Sequence, residues 1–127
     1  MIQVNTSLNV IDNCGAKKAY CIKVSKGYRR RYSYIGDIIL VVIQNIRSKR
    51  KLTSKVKKGD LYNALVVRTK FQKKNLSGNT IKFIENSVVI LNKQKRLIGT
   101  KIFGAIPKHF RFTKFTRLIS LSSGILS

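Results

Sequence analysis

Apolar and polar residues alternate with a period of two over much of the chain, which predicts strands. Ile2 to Val4 and Leu8 to Asp12 read as two short strands, with Asn5, Thr6 and Ser7 between them as a tight turn or bend. Tyr20, Ile22 and Val24 face one way with Lys23 opposite, predicting a third strand. Gly36-Asp37 then turns the chain into Ile38 to Ile43, an unbroken β-branched and leucine run expected at the centre of the core. The longest organised stretch is Ala64 to Ile90. Two β-rich runs, Ala64 to Val67 and Ile81 to Ile90, flank a basic segment that ends in Ser77-Gly78, so the stretch reads as a long hairpin with a charged tip. Ile81 and Phe83 alternate with Lys82, giving this ribbon one apolar face and one wet, positive face. Gly78 is expected to hold a positive φ in its turn.

After Gly99 the period changes. Pro107 suits a first helical turn, with Lys108, His109, Phe110 and Arg111 following as a short helical segment, and Thr113 is placed to cap a second one. Phe115, Leu118 and Ile119 recur at helical spacing and predict a face docked on the strands, with Lys114 and Arg117 outward. The last residues are expected to fray. The expected fold is mostly β: a small closed barrel of about five strands with an extended β-ribbon and short C-terminal helices, all in one domain spanning residues 1–127.

Charge changes the picture from fold to partner. The chain holds 27 Lys and Arg against 4 Asp and Glu, a formal net charge of +23. Such an excess repels itself unless a polyanion neutralises it, and nucleic acid is the leading candidate. An anionic membrane surface is the other polyanion, but no stretch approaches the roughly 20 apolar residues that a bilayer span requires, so membrane insertion is not expected. Cys14 and Cys21 lack CxxC spacing and a neighbouring histidine. They read as buried small hydrophobes in a reducing compartment, not as metal ligands. Because Met1-Ile2-Gln3-Val4 already reads as a strand, neither a secretory signal nor a transit peptide is expected. Ile, Lys and Asn make up about a third of the residues, a bias of A/T-rich coding sequence that fits a mitochondrial gene and would equally fit an A/T-rich bacterium.

The cations cluster in loops. Ser25 to Tyr34, SKGYRRRYSY, interleaves Arg29, Arg30 and Arg31 with tyrosines, among them Tyr32; guanidinium forks suit phosphates, and rings stack on unpaired bases. Ile46 to Lys58 contains RSKRKLTSKVKK, with the densest charge and little apolar periodicity, a run expected to stay disordered until phosphates neutralise it. Asn92 to Arg96 is another basic turn. The candidate RNA-binding residues are Lys17, Lys18, Arg29, Arg30, Arg31 and Tyr32, then Arg47, Lys49, Arg50, Lys51, Lys57 and Lys58, and finally Arg68, Lys70, Lys73 and Lys74 on the ribbon. Catalytic equipment is sparse. The acids are Asp12, Asp37, Asp60 and Glu85, three of them in glycine-associated turns, and they suggest no carboxylate pair. His109 is the sole histidine, whereas acid–base cleavage of RNA generally needs two positioned titratable groups. No catalytic residue, metal or cofactor is expected. A free single-strand binder of the OB or cold-shock kind would share a small barrel with aromatics, but its strands carry several aromatics on one face, while here the cations sit on loops.

The central stretch also carries a resemblance. Ala64 with its aliphatics, Ser77-Gly78, Phe83, Asn86 and Val89-Ile90 resemble the signature of the universal large-subunit ribosomal protein fourteen family, bacterial and organellar type. Val10-Ile11-Asp12-Asn13 with Gly15-Ala16, Tyr34-Ile35-Gly36-Asp37, Val56-Lys57-Lys58-Gly59-Asp60 and Ile98 to Gly104 look like further family blocks in the family's order, so the similarity spans nearly the whole chain. The connection from Arg47 to Lys58 looks a few residues longer than in the family and lacks a proline that relatives often carry. The resemblance implies the same small barrel and a structural role: binding large-subunit rRNA at the subunit interface, beside large-subunit ribosomal protein nineteen, with contributions to bridges with small-subunit rRNA. It also implies a docking surface for the ribosome silencing factor at Thr100, Lys101 and Arg117. There Ile102 and Phe103 are expected to be pinned in the core, holding Lys101 near the rim.

Overall fold

A computed structural model describes residues 1–25, 27–50 and 52–126, Arg50 as backbone alone. Five strands close into a barrel in the order β1-β2-β3-β4-β7. They are β1 (Ser7–Val10), β2 (Ala16–Val24), β3 (Ile38–Ile46), β4 (Leu61–Arg68) and β7 (Ser87–Leu91). Neighbours are antiparallel except at the seam, where β1 runs parallel to β7 with Asn9 opposite Ser87 and Val10 opposite Val88. Closure removes the open edges that a five-stranded sheet would otherwise present. Between β4 and β7 the ribbon continues outward as β5 (Lys73–Lys74) and β6 (Thr80–Ile81), an antiparallel pair. Its turn has Gly78 at φ +89°, the conformation the Ser77-Gly78 dipeptide predicts.

The core has two parts. Inside the barrel lie Leu8, Val10, Ala19, Cys21, Ile39, Val41, Ile43, Ala64, Val66, Val88 and Ile90. A second cluster sits on the outer side of β4 and β7, where Leu65, Val67, Val89 and Leu91 meet Ile102, Ile106, Phe110 and Leu118. These two strands are covered on both faces, which is why their sequences run apolar without alternation. The cover is the C-terminal segment: β8 (Ile102–Pro107), a 3-10 turn at Lys108–Phe112, the helix α1 (Arg117–Leu121) and β9 (Ser122–Leu126). Leu118 is fully buried, with Phe115 and Ile119 packed beside it, as the helical spacing predicts. Thr113 acts one turn earlier than expected: its hydroxyl accepts from the Phe115 amide at 3.2 Å and donates to the Phe110 carbonyl at 3.0 Å, while Thr116 precedes α1.

Several expectations are corrected. Ile2 to Val4 is not a strand; Ile2 forms an isolated bridge to Ser33, and Val4-Asn5 is a turn with Asn5 at φ +70°. On β2 the phase is opposite to the one expected: Ala19 and Cys21 point inward, whereas Tyr20 and Ile22 are exposed. A narrow barrel fills its interior with small residues here, and a register shift between Cys21 and Lys23 turns Ile22 and Lys23 both outward. Buried and half-buried residues alternate along β3, so it is less enclosed than β4 or β7. Phe103 lies exposed, its neighbour Ile102 taking the inward position at the start of β8. The C-terminal end does not fray as far as Leu126, since β9 pairs in parallel with β8.

Candidate nucleic-acid interface

The Arg47–Lys58 connection is tied at its base to one short bend. The Arg47 amide donates to the Gly15 carbonyl at 2.9 Å and the Lys55 amide to the Cys14 carbonyl at 3.0 Å, so both limbs of the loop meet adjacent peptide units. Val56 is buried in the barrel cluster, and the Ser54 hydroxyl donates to the Val56 carbonyl at 2.5 Å. Gly15 sits at φ +106°, and a Cβ on it would come within 2.9 Å of Ser54 Cβ, so a side chain there would push the loop away. The limbs are therefore ordered by the protein itself, contrary to the expectation of a run disordered until RNA binds. Lys51 lies outside the described residues.

Asp12 braces the same bend. One carboxylate oxygen accepts from the Cys14 amide at 3.3 Å and the other from the Ile90 amide at 3.2 Å, with the residue fully buried. Burial pushes its pKa above the ordinary carboxylate value, opposed by these hydrogen bonds and by Arg47. Asp12 is thus a structural pin between the β1 end and β7. Cys14 and Cys21 are free and buried.

Lys17, Arg47, Lys49 and Lys58 come together along one groove, with Asn45 and Ser48 between them and no carboxylate in its lining. Lys17 and Arg47 also line the adjoining depression that runs to Arg68 and Phe103. Arg47 is steered by protein contacts: its guanidinium donates to the Val10 carbonyl at 3.4 Å and lies 5.5 Å from the Phe103 ring centre. Lys17, Lys49 and Lys58 are exposed. Four cations around a depression without an acid form a seat for an anionic backbone.

The other predicted cations divide by whether the protein already holds them. Arg30 pairs with Asp37 at 2.6 Å, donates to the Tyr32 carbonyl at 2.9 Å and stacks 5.6 Å from the Tyr34 ring. Arg68 is more committed, its side chain 11% exposed. Its guanidinium pairs with Glu85 at 3.1 Å, donates to the Ala105 carbonyl at 2.8 Å and also reaches the Phe103 carbonyl. Glu85 is held in turn by Asn9 at 2.7 Å and Ser87 at 2.9 Å. Arg68 is a strut between the ribbon base and β8. By contrast Lys18, Arg29, Arg31, Tyr32, Lys57, Lys70 and Lys74 are exposed, with Arg29 lying 5.3 Å from the Tyr28 ring. Lys73 is half-buried toward His109, whose pKa is lowered by burial and then by the Lys73 charge.

Thr100 and Lys101 are exposed and precede β8. Asn13 fixes them: its side-chain oxygen accepts from the Thr100 amide at 2.7 Å and the Lys101 amide at 3.2 Å, while its nitrogen donates to the Thr100 hydroxyl at 2.8 Å. That role was not read from the sequence, where Asn13 looked like local turn chemistry. Arg117 opens onto a separate groove with Lys95, Arg96 and Lys114 over a floor of Ile38, Leu97 and Phe115. These three cations were also missed as a site, although the NKQKR run signalled a basic turn. No helix among the described residues is long and apolar enough to cross a membrane. A family model described as Ribosomal protein L14p/L23e matches residues 1–126.

Proposed function

The chain belongs to the ribosomal protein L14p/L23e family, and from that premise we propose that the cation groove at the clasped loop is its main grip on RNA. As a family member it is a structural constituent of the large ribosomal subunit that binds large-subunit rRNA in translation. The observation that carries the finer reading is the groove itself: Lys17, Arg47, Lys49 and Lys58 converge where no carboxylate competes. Lys18, Arg29, Arg31, Tyr32, Lys57, Lys70, Lys73 and Lys74 extend the contact along the loops and ribbon, together with Arg50 and Lys51. Arg30 and Arg68, which already hold protein partners, chiefly shape the surface. Salt titration of rRNA-fragment binding tests this: each phosphate contact removed by alanine at the groove should reduce the magnitude of the log–log slope by about 0.7–0.9. An unchanged slope in the quadruple alanine variant refutes the groove as the grip.

The family resemblance supports further partners. We infer that Thr100, Lys101 and Arg117 form a docking surface for the ribosome silencing factor, that the protein lies beside large-subunit ribosomal protein nineteen, and that it contributes to bridges with small-subunit rRNA. Two exposed cations near the chain's outer rim can meet an acidic partner, although Lys101 offers a point charge where the family's arginine offers a fork. Capture of free large subunits by the silencing factor should fall for Lys101→Glu with Arg117→Glu, in particles that still assemble. The Ile, Lys and Asn bias supports a mitochondrial ribosome. The family's proteins are structural, non-enzymatic components, and His109 packs on Phe110 at 4.6 Å between ring centres, close enough to Lys73 to feel its charge.

A further inference from the structure

An unbroken apolar run in a strand implies that both of its faces are covered. β4 and β7 obey this rule, with the barrel interior on one side and the C-terminal segment on the other. β3 carries the same kind of run, yet Leu40 and Val42 on its outer face are only half-buried. Pairing places Tyr20, Val42 and Leu61 in one row across β2, β3 and β4, with Leu40 in the next row. Tyr20 is 37% exposed, Ile22 40% and Leu61 57%. The outcome is an apolar patch on the outside of a closed barrel, at the place where an alternating strand would be polar.

The surroundings of the patch select its occupant. Lys18 and Lys23 are both exposed and flank Tyr20 along β2, spanning about 16 Å at ordinary strand rise. A second copy of a chain with net charge +23 is repelled. An outer sheet face with one ring, aliphatic neighbours and cations at both ends matches the chemistry that holds unpaired nucleotides, where a base stacks on the ring and phosphates meet ammonium groups. We propose that the outer face of β2–β4, centred on Tyr20, is a second RNA site that seats unpaired nucleotides, distinct in kind from the phosphate-gripping groove. This rests on the RNA-binding reading above and adds a base-contacting surface to it.

The test uses the full chain and two fluorescent probes, a ten-nucleotide uridine RNA and a blunt RNA duplex, at one fixed salt concentration. Tyr20→Ala should weaken binding of the single strand about tenfold and leave the duplex unchanged, while Tyr20→Phe stays near wild type; matching urea midpoints establish that the variants fold. Equal single-strand affinity for Tyr20→Ala, or an equal loss on both probes, overturns the proposal while leaving the groove intact. If the wild-type chain binds neither probe, the RNA reading itself falls and this inference with it. Within assembled subunits, a photo-crosslinking residue at position 20 should capture rRNA; capture of a neighbouring protein instead assigns the face to that protein and overturns the proposal.

Discussion

Arg68 and Lys49 are both cations on a strongly basic chain, and the fold uses them in opposite ways. Arg68 is enclosed between Glu85 and the carbonyls of Ala105 and Phe103, so its charge is consumed in joining the ribbon base to β8. Lys49 lies exposed on a groove whose lining holds three more cations and no acid. Among the described residues, Arg30–Asp37 and Arg68–Glu85 are the ion pairs. With 4 acidic residues against 27 basic ones, the few carboxylates decide which cations become structure, and the remainder face outward as a reservoir for an anionic partner.

The contrast is broken most directly at Arg68. Arg68→Ala leaves Glu85 unpaired and strips a donor from two carbonyls, and should cost about 2–4 kcal/mol, read as a lower urea midpoint. Lys49→Ala should stay within about 0.5 kcal/mol of wild type. Equal losses would erase the distinction. Gly78→Val comes next: nothing crowds the site, so the loss comes from φ +89° alone and should be about 1–3 kcal/mol, with Lys73 and Lys74 displaced. Alanine at Lys17, Arg29, Arg31 and Lys49, which are exposed, should alter stability little while flattening the salt dependence of RNA binding, whereas Arg68→Gln should leave that slope alone.

The smallest effect concerns His109. Burial and Lys73 hold its pKa below the ordinary 6.5, so the unfolded chain takes up the proton first as pH falls. Stability should therefore decline as pH drops through about 6.5 and level off below the folded value. His109→Gln should remove that slope. A slope that persists would assign it to another group and overturn the role given to His109.

The barrel was legible because β1, β4 and β7 carry unambiguous period-two or two-face patterns, and the ribbon because Ser77-Gly78 marks its turn. β2 was misread because Ala19 and Cys21 are too small to announce an inward face, while Tyr20 and Ile22 look like core. The β8–β9 pairing was invisible: the Ser- and Gly-rich residues 120–124 read as a fraying end, and their parallel partner is about twenty residues away. Loop cations were legible as a class. Their division was not, since the role of Arg68 depends on Glu85 and on β8 carbonyls that meet it only in space. Asn13 escaped notice for the same reason, its partners being 87 and 88 positions away.

Both limbs of the Arg47–Lys58 loop close on the neighbouring carbonyls of Cys14 and Gly15, so the segment between them is a cassette. Its closure is fixed by two hydrogen bonds and by Val56, none of which depends on what the tip contains. Lengthening such a loop is inexpensive, about 0.6 kcal/mol for each doubling. The barrel can thus carry a tip of different reach and charge without refolding.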